Sequence, residues 1–270
     1  MLIHSTQEQY IGYLNTPLLW ETNSIFNIKQ FKLKEIPASL FNDTILSNLR
    51  LGKRVERFVS YELKQHDSID ILLENIQIQD NKITKGEIDC ILKYQDQPIH
   101  LEIVFKFYLY DHKISENEIE CWIGPNRKDS LLNKLTKLRD KQLPLLHNHL
   151  TNKILEKLHL KASDINQRVL FKAQLFIPYF KRSVKFNVLN KACLTGYYIH
   201  FKQLSQFSNC KGYIPNKINW LCEVKPNVNW LHTSTFEKEI ATYIRNETAP
   251  LTWIKHPNGV IEKVFVVWWD

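Results

Sequence analysis

The stretch GEIDCILKYQDQPIHLEIVFKFYLY, residues 86–110, sets acids and a lysine inside two otherwise apolar runs. Side chains on a strand alternate between faces, so Ile99, Leu101, Ile103, Phe105, Phe107 and Leu109 share one side. His100, Glu102, Val104, Lys106 and Tyr108 share the other. In the preceding run Ile88, Cys90 and Leu92 lie on one face, with Glu87, Asp89, Ile91 and Lys93 opposite. A hairpin with Gln95 and Asp96 at its tip sets Asp89 directly across from Glu102. Carboxylates about 5 Å apart repel unless a cation lies between them. A lysine meets part of that demand. A divalent metal meets it better, because Mg2+ is typically held by one or two carboxylates with water and phosphate oxygens. A hydrated strand face is the simplest alternative, but LEIVFKFYL is too apolar for an ordinary exposed strand. A functional site and a structural ion pair both remain open on these residues alone.

The elements that must position these groups follow from periodicity. TILSNLRLGKRVERFVSYELKQH reads as a helix with Leu51, Val55, Phe58, Val59 and Leu63 on one stripe, Glu62 inside the stripe and Glu56 at its edge. ILLENIQIQDN reads as a short strand, and residues 86–110 add two more. After the loop WIGPNRKD, SLLNKLTKLRDKQL reads as a strong helix. Asp129 is its expected N-cap, Leu131, Leu135 and Leu138 its buried stripe, and Pro144 its stop. A shorter helix includes Ile154, Leu155 and Leu158. The second half carries the strands RVLFKAQLFIPYF, ACLTGYYIHFKQL and VIEKVFVVWW. It also carries one helix, STFEKEIATYIRN, in which Ser234 and Glu237 have capping-box spacing and Phe236, Ile240, Tyr243 and Ile244 share a face. The expected fold is α/β, a mixed central sheet flanked by helices. A helix–strand–strand–strand–helix core fills residues 1–150, and a strand-rich half, 151–270, packs on it.

Composition narrows the classes. The chain has 270 residues, enough for a sizeable core, and 44% of them are hydrophobic, which argues against disorder. Only 7 glycines are present, and no phosphate-cradling or dinucleotide-binding glycine motif occurs. The net charge of +8 suits a polyanionic partner. No run approaches the roughly 18 apolar residues that span a bilayer, and MLIHSTQEQYIGYL has no cationic leader. The five cysteines are odd in number and form no CxxC pair, so neither a zinc site nor a disulfide framework is expected. The expected setting is reduced and cytoplasmic.

The order GEID, turn, then a strand bearing Glu and Lys resembles the D…ExK core of the PD-(D/E)XK nuclease-like superfamily. The longer string resembles one bacterial family within it, the domain of unknown function 1853. The pieces that carry the likeness are LGKRVERF, GEIDCIL, HLEIVFKFYL, WIGPNRKDSLLNKLTKL, KQLPLL and the closing IEKVFVVW. The resemblance implies a restriction-endonuclease-like core and phosphodiester hydrolysis. It matches Asp89 to the core aspartate, Glu102 to the core glutamate and Glu56 to a glutamate of the preceding helix. Asp89 and Glu102 would hold Mg2+ or Mn2+, with the Ile103 carbonyl as a further ligand and Glu56 acting directly or through water. Lys106 would orient the attacking water or stabilise transition-state charge. One departure stands out: Val104 occupies the position where the pattern has lysine. Lys106 lies on the same face, but four strand residues span about 13 Å against about 7 Å for two.

Further candidates surround this core. Asn126, Arg127 and Lys128 approach a helix start that could meet a phosphate. Lys134, Lys137 and Lys141 recur along one side of that helix. Arg127 and Lys134 could contact a nucleic-acid backbone and Gln142 could enter the site; a plain solvated face is the competing reading. His100 is either a metal or substrate contact or a strand-end histidine without a role. The basic stretch KRSVK, 181–185, reads as surface, and Trp268 and Trp269 as packing. The expected function is a metal-dependent nuclease acting on DNA or RNA. The alternative is a catalytically impaired fold of the same kind that serves as a nucleic-acid or protein binding module.

Overall fold

The computed structural model describes residues 5–21, 24–34, 39–181 and 184–270. Its first element, α1 (Thr6–Asn15), has no counterpart among the helices expected from periodicity. The side chains of Ser5 and Glu8 nevertheless form a reciprocal capping box at its start. The second helix, α2 (Leu51–Leu63), is shorter than the run that suggested it, because Arg50 is already in extended backbone. Its buried stripe is Leu51, Val55, Phe58, Val59 and Leu63, as the spacing requires.

Three long strands follow: β1 (Ile69–Asp80), β2 (Ile83–Tyr94) and β3 (Gln97–Tyr110). Gln95 and Asp96 link β2 to β3 with φ of 50° and 64°, the left-handed pair that a two-residue hairpin turn needs. The short β4 (Trp122–Ile123) pairs with the end of β3. Next comes α3 (Leu131–Lys137), a wide π turn at Leu138–Gln142 and a 3-10 turn at Leu143–His147. Two details differ from expectation here. The N-cap is Ser130, whose Oγ accepts the Asn133 N–H at 3.1 Å, and Asp129 is spent elsewhere. Pro144 opens the 3-10 turn, where its missing N–H costs nothing, so the helical path bends there instead of stopping.

The remainder comprises α4 (His149–Lys157), β5 (Asn166–Pro178), β6 (Leu194–His200), β7 (Lys211–Tyr213), α5 (Thr233–Arg245), β8 (Leu251–Lys255) and β9 (Ile261–Val267). In α5 the N-cap is His232, with no side-chain cap, so Ser234 sits inside the helix and the Ser234–Glu237 capping box is not made. One mixed sheet takes all the strands, in the order β1-β2-β3-β5-β6-β9-β8-β7, with β4 beside β3. Position 150, the boundary expected between the halves, falls inside α4. β5, from the second half, runs parallel to β3 from Ile99↔Asn166 to Leu109↔Phe176.

Both faces of β3 are covered. Leu101, Phe105 and Leu109 pack with the stripe of α2 and with Tyr10 and Tyr13 of α1. Val104 and Tyr108 pack on the opposite side with Leu131, Leu135 and Leu138 of α3. Hydrophobic burial therefore fixes α3 over the face that carries Glu102. Leu135 is fully buried in that layer. Leu135→Ala should cost about 2–5 kcal/mol of unfolding free energy, measured by urea denaturation; a change below about 1 kcal/mol would contradict this packing.

Candidate active site

The register of β2 against β3 runs from Tyr94↔Gln97 to Cys90↔Leu101 and then stops. One further step would pair Asp89 with Glu102. At that point β2 leaves β3, while its partnership with β1 continues to Asp80↔Ile83. The Asp89 side chain takes the place of the missing strand partner: its Oδ2 accepts the Ile103 N–H at 2.8 Å. The acid is thus fixed at the mouth of a gap between two strands, beside Glu102 on the neighbouring one.

Glu102 is fully buried, as is His100 two residues earlier. The His100 Nε2 donates to Glu102 Oε1 at 3.0 Å, which leaves Nδ1 to accept from Gln167 Nε2 at 3.2 Å. Gln167 is the β5 residue in register with His100, and its amide also donates to the Leu143 carbonyl. The other oxygen, Glu102 Oε2, accepts from Gln142 Nε2 at 2.5 Å. Gln142 Oε1 in turn accepts from the Lys134 ammonium at 2.7 Å. A regular helix would separate residues 134 and 142 by about 12 Å of rise. The π turn after α3 winds more widely, and the long side chains close the remaining distance.

Electrostatics confirm how crowded the acids are. Burial, then the negative charge of Glu102, pushes the Asp89 carboxyl up from 3.8 to about 7, against the Ile103 N–H and Lys134, which favour its ionised form. Burial likewise raises Glu56, with Glu87 and Glu102 adding to the shift and Lys53 opposing it. Burial lowers Lys134 to about 8, although Glu102 and Asp89 hold its charge. Lys134, from a helix, therefore stands where a cation is needed.

Of the residues singled out in the sequence, Asp89, Glu102, Gln142 and Lys134 come together, and Glu56 lies within electrostatic reach of them. Glu56 is bridged by Lys53 at 2.7 Å, and the same ammonium bonds Glu87 at 2.5 Å and Asn75 at 3.1 Å. Glu62, the other acid of α2, accepts the Tyr13 hydroxyl at 2.5 Å instead. Lys106 is seated on Asp129 at 2.6 Å, in a pair more than a third exposed on both sides and so worth little. Val104, 4% exposed among the α3 leucines, has no route to act as the missing lysine. The GPNRKD loop is held by the fold. Asn126 Oδ1 accepts the Ala249 N–H, and Arg127 bonds Asp111 at 2.9 Å while stacking 4.7 Å from the Trp269 ring. Residues 182 and 183 of the basic stretch lie outside the described residues. His100 and Gln167, which orient Glu102, went unassigned in that role; the His-x-Glu spacing within one strand face is the signal that points to the first.

The donor chemistry suits a hard divalent cation. Each oxygen of Glu102 accepts one hydrogen bond and keeps a second acceptor position, and Asp89 Oδ1 accepts none from the described residues. Burial first, and the charge of Glu102 second, keep Asp89 raised despite Lys134, so a further cation beside the two acids would favour its ionised form. Among the described residues, no three His, Cys, Asp or Glu side chains already converge on one point. The five cysteines are free thiols, and no described helix is long and apolar enough to cross a membrane. A family model described as Domain of unknown function (DUF1853) matches residues 28–267. No curated protein and no solved structure matches the chain.

Asp89 titrates near pH 7 when folded and at its ordinary value of 3.8 when unfolded. Between those values the folded chain holds more protons, so this group's contribution to stability falls as pH rises through the window. Asp89→Asn should therefore gain on the parent protein from about pH 4 to about pH 7, by on the order of a few kcal/mol, in urea titrations with chelator present. A difference that does not change with pH would mean that the carboxyl is not crowded.

Proposed function

We propose that this chain, which belongs to the DUF1853 family, is a metal-dependent phosphodiesterase acting on DNA or RNA, built on a core of the PD-(D/E)XK nuclease-like kind. The observation that carries this reading is the gap in which Asp89 and Glu102 meet Lys134. The succession α2–β1–β2–β3–α3, closed by β5 parallel to β3, also agrees with the restriction-endonuclease-like core that the sequence resemblance implies.

Asp89 and Glu102 are the residues that would hold Mg2+ or Mn2+, whose contribution is to polarise a phosphoryl oxygen and acidify water. Everything else belongs to the chain. His100 and Gln142 keep the Glu102 carboxylate in one orientation, each bonding a different oxygen. Burial among α3, β3 and β5 keeps bulk water from weakening these charges. Lys134, lowered to about 8, gives up a proton more readily than an ordinary lysine and suits the orientation of an attacking water or the stabilisation of transition-state charge. It takes the role that the pattern assigns to position 104. Glu56, bridged by Lys53, would act at the edge of the cluster. Lys106, paired with Asp129, would meet the substrate beyond the cluster.

A second reading has its own support: both oxygens of Glu102 are already engaged, and Val104 stands for lysine. On that reading the chain binds nucleic acid or protein without cleaving. Incubation of labelled DNA and RNA with Mg2+ or Mn2+ separates the two. Cleavage should be lost on chelation and fall about 100-fold or more in both Asp89→Asn and Lys134→Ala. Salt-sensitive binding with no cleavage under either metal would favour the binding module. Cleavage unaffected by Asp89→Asn would remove the assigned site.

Metal binding also carries a pH signature. Since Asp89 must be ionised to ligate, Mn2+ affinity measured by calorimetry should rise as pH increases from about 6 to about 8, with close to one proton released per ion near pH 6 and about half a proton near pH 7. Binding that is flat across that range would place the ion elsewhere.

A further inference from the structure

A cleft of about 640 Å³ lies between the start of α2 and the second half of β3, within the size range of small-ligand sites. Arg50, Lys106 and Lys217 line it against a single acid, Asp129. Its apolar wall combines Leu51, Pro125 and Ile218 with the margins of three largely buried rings, Phe105, Phe107 and Trp220, and the Lys217 ammonium lies 5.5 Å from the Trp220 ring centre. Beside Gly52 the space is open, with no atom within 4 Å of where a Cβ would stand. Arg50 and Lys217 are solvent-exposed. Cations ringing an apolar, partly aromatic wall match a phosphate-linked base: the wall offers apolar and ring-margin contact to the base, and the cationic groups meet the backbone charge.

The cleft is also placed beside the carboxylates by the same two elements. Gly52 precedes Glu56 by one turn of α2, about 6 Å of rise. Lys106 follows Glu102 by about 13 Å along β3. From these observations we infer that the cleft receives an unpaired nucleotide next to the scissile phosphate, so that the substrate class is single-stranded DNA or RNA, or a single-stranded end. A base inside a duplex has both faces stacked and cannot enter without leaving the stack, at a cost that the cleft would have to repay. The inference rests on the phosphodiesterase reading for the identity of the neighbouring group, but its test does not require cleavage.

Binding of fluorescent oligothymidylate, oligouridylate and a blunt duplex of equal length is measured by anisotropy with the full chain, in chelator. The single strands should bind about tenfold or more tightly than the duplex, and an abasic strand should lose about tenfold relative to oligothymidylate. A similar affinity for the thymidine and uridine strands would assign the cleft to both DNA and RNA, and a clear preference would assign it to one. Arg50→Ala with Lys217→Ala should weaken single-strand binding several-fold and reduce the salt slope by about one per cation removed. Both positions are exposed, and circular dichroism establishes that the variants fold. Equal affinity for duplex and single strand, or no effect of the paired substitution, would overturn the inference even if cleavage is observed. Single-strand binding that depends on Arg50 and Lys217 without any cleavage would sustain it while removing the phosphodiesterase reading.

Discussion

Two carboxylates forced together at the point where a strand ladder ends set the terms for the rest of the site. Asp89 cannot retreat, because its side chain completes the hydrogen bonding of Ile103 where β2 no longer does. Glu102 cannot retreat either, since it is buried on the strand at the centre of the sheet and bonded at both oxygens. Negative charge in so dry a place must be offset by a cation or by a proton. The elevation of Asp89 to about 7 shows that the proton supplies part of it.

The surrounding architecture can be understood as the supply of the remaining compensation. Leucines at 131, 135 and 138 press α3 onto the face of β3 that bears Glu102, and this brings Lys134 within electrostatic reach of the acids. The π turn then swings Gln142 back so that one amide joins the lysine to the glutamate. On the strand side, His100 and Gln167 form a second line of support through the parallel pairing of β3 with β5. The site thus draws on both halves of the chain, and the long β3–β5 ladder is what holds those contributions in register.

Much of this was legible in the residues. Strand alternation and a two-residue turn at Gln95 and Asp96 place Asp89 opposite Glu102, and the observed register reaches the adjacent pair before the strands part. Helical periodicity likewise found the stripes of α2 and α3. What escaped was tertiary. Lys134 belongs to a helix that strand alternation cannot relate to β3, and no local spacing predicts that its ammonium reaches acids some forty residues away. The cap of α3 is Ser130, one residue beyond the expected Asp129, which instead pairs with Lys106 across the fold. α1 went unread although Ser5 and Glu8 have capping-box spacing, because its buried Tyr10 and Tyr13 make a weak periodic signal. The short strands β7 and β8 lack enough alternating residues to stand out from loops.

The central proposal is that Asp89 and Glu102, in the gap between β2 and β3, would hold one divalent ion. Crystals of the protein soaked in Mn2+ test it through anomalous scattering at the manganese edge. The account predicts a peak within coordination distance of both Asp89 and Glu102, lost in Asp89→Asn. An empty gap under saturating Mn2+, with the Lys134–Gln142–Glu102 bonds intact, would contradict it.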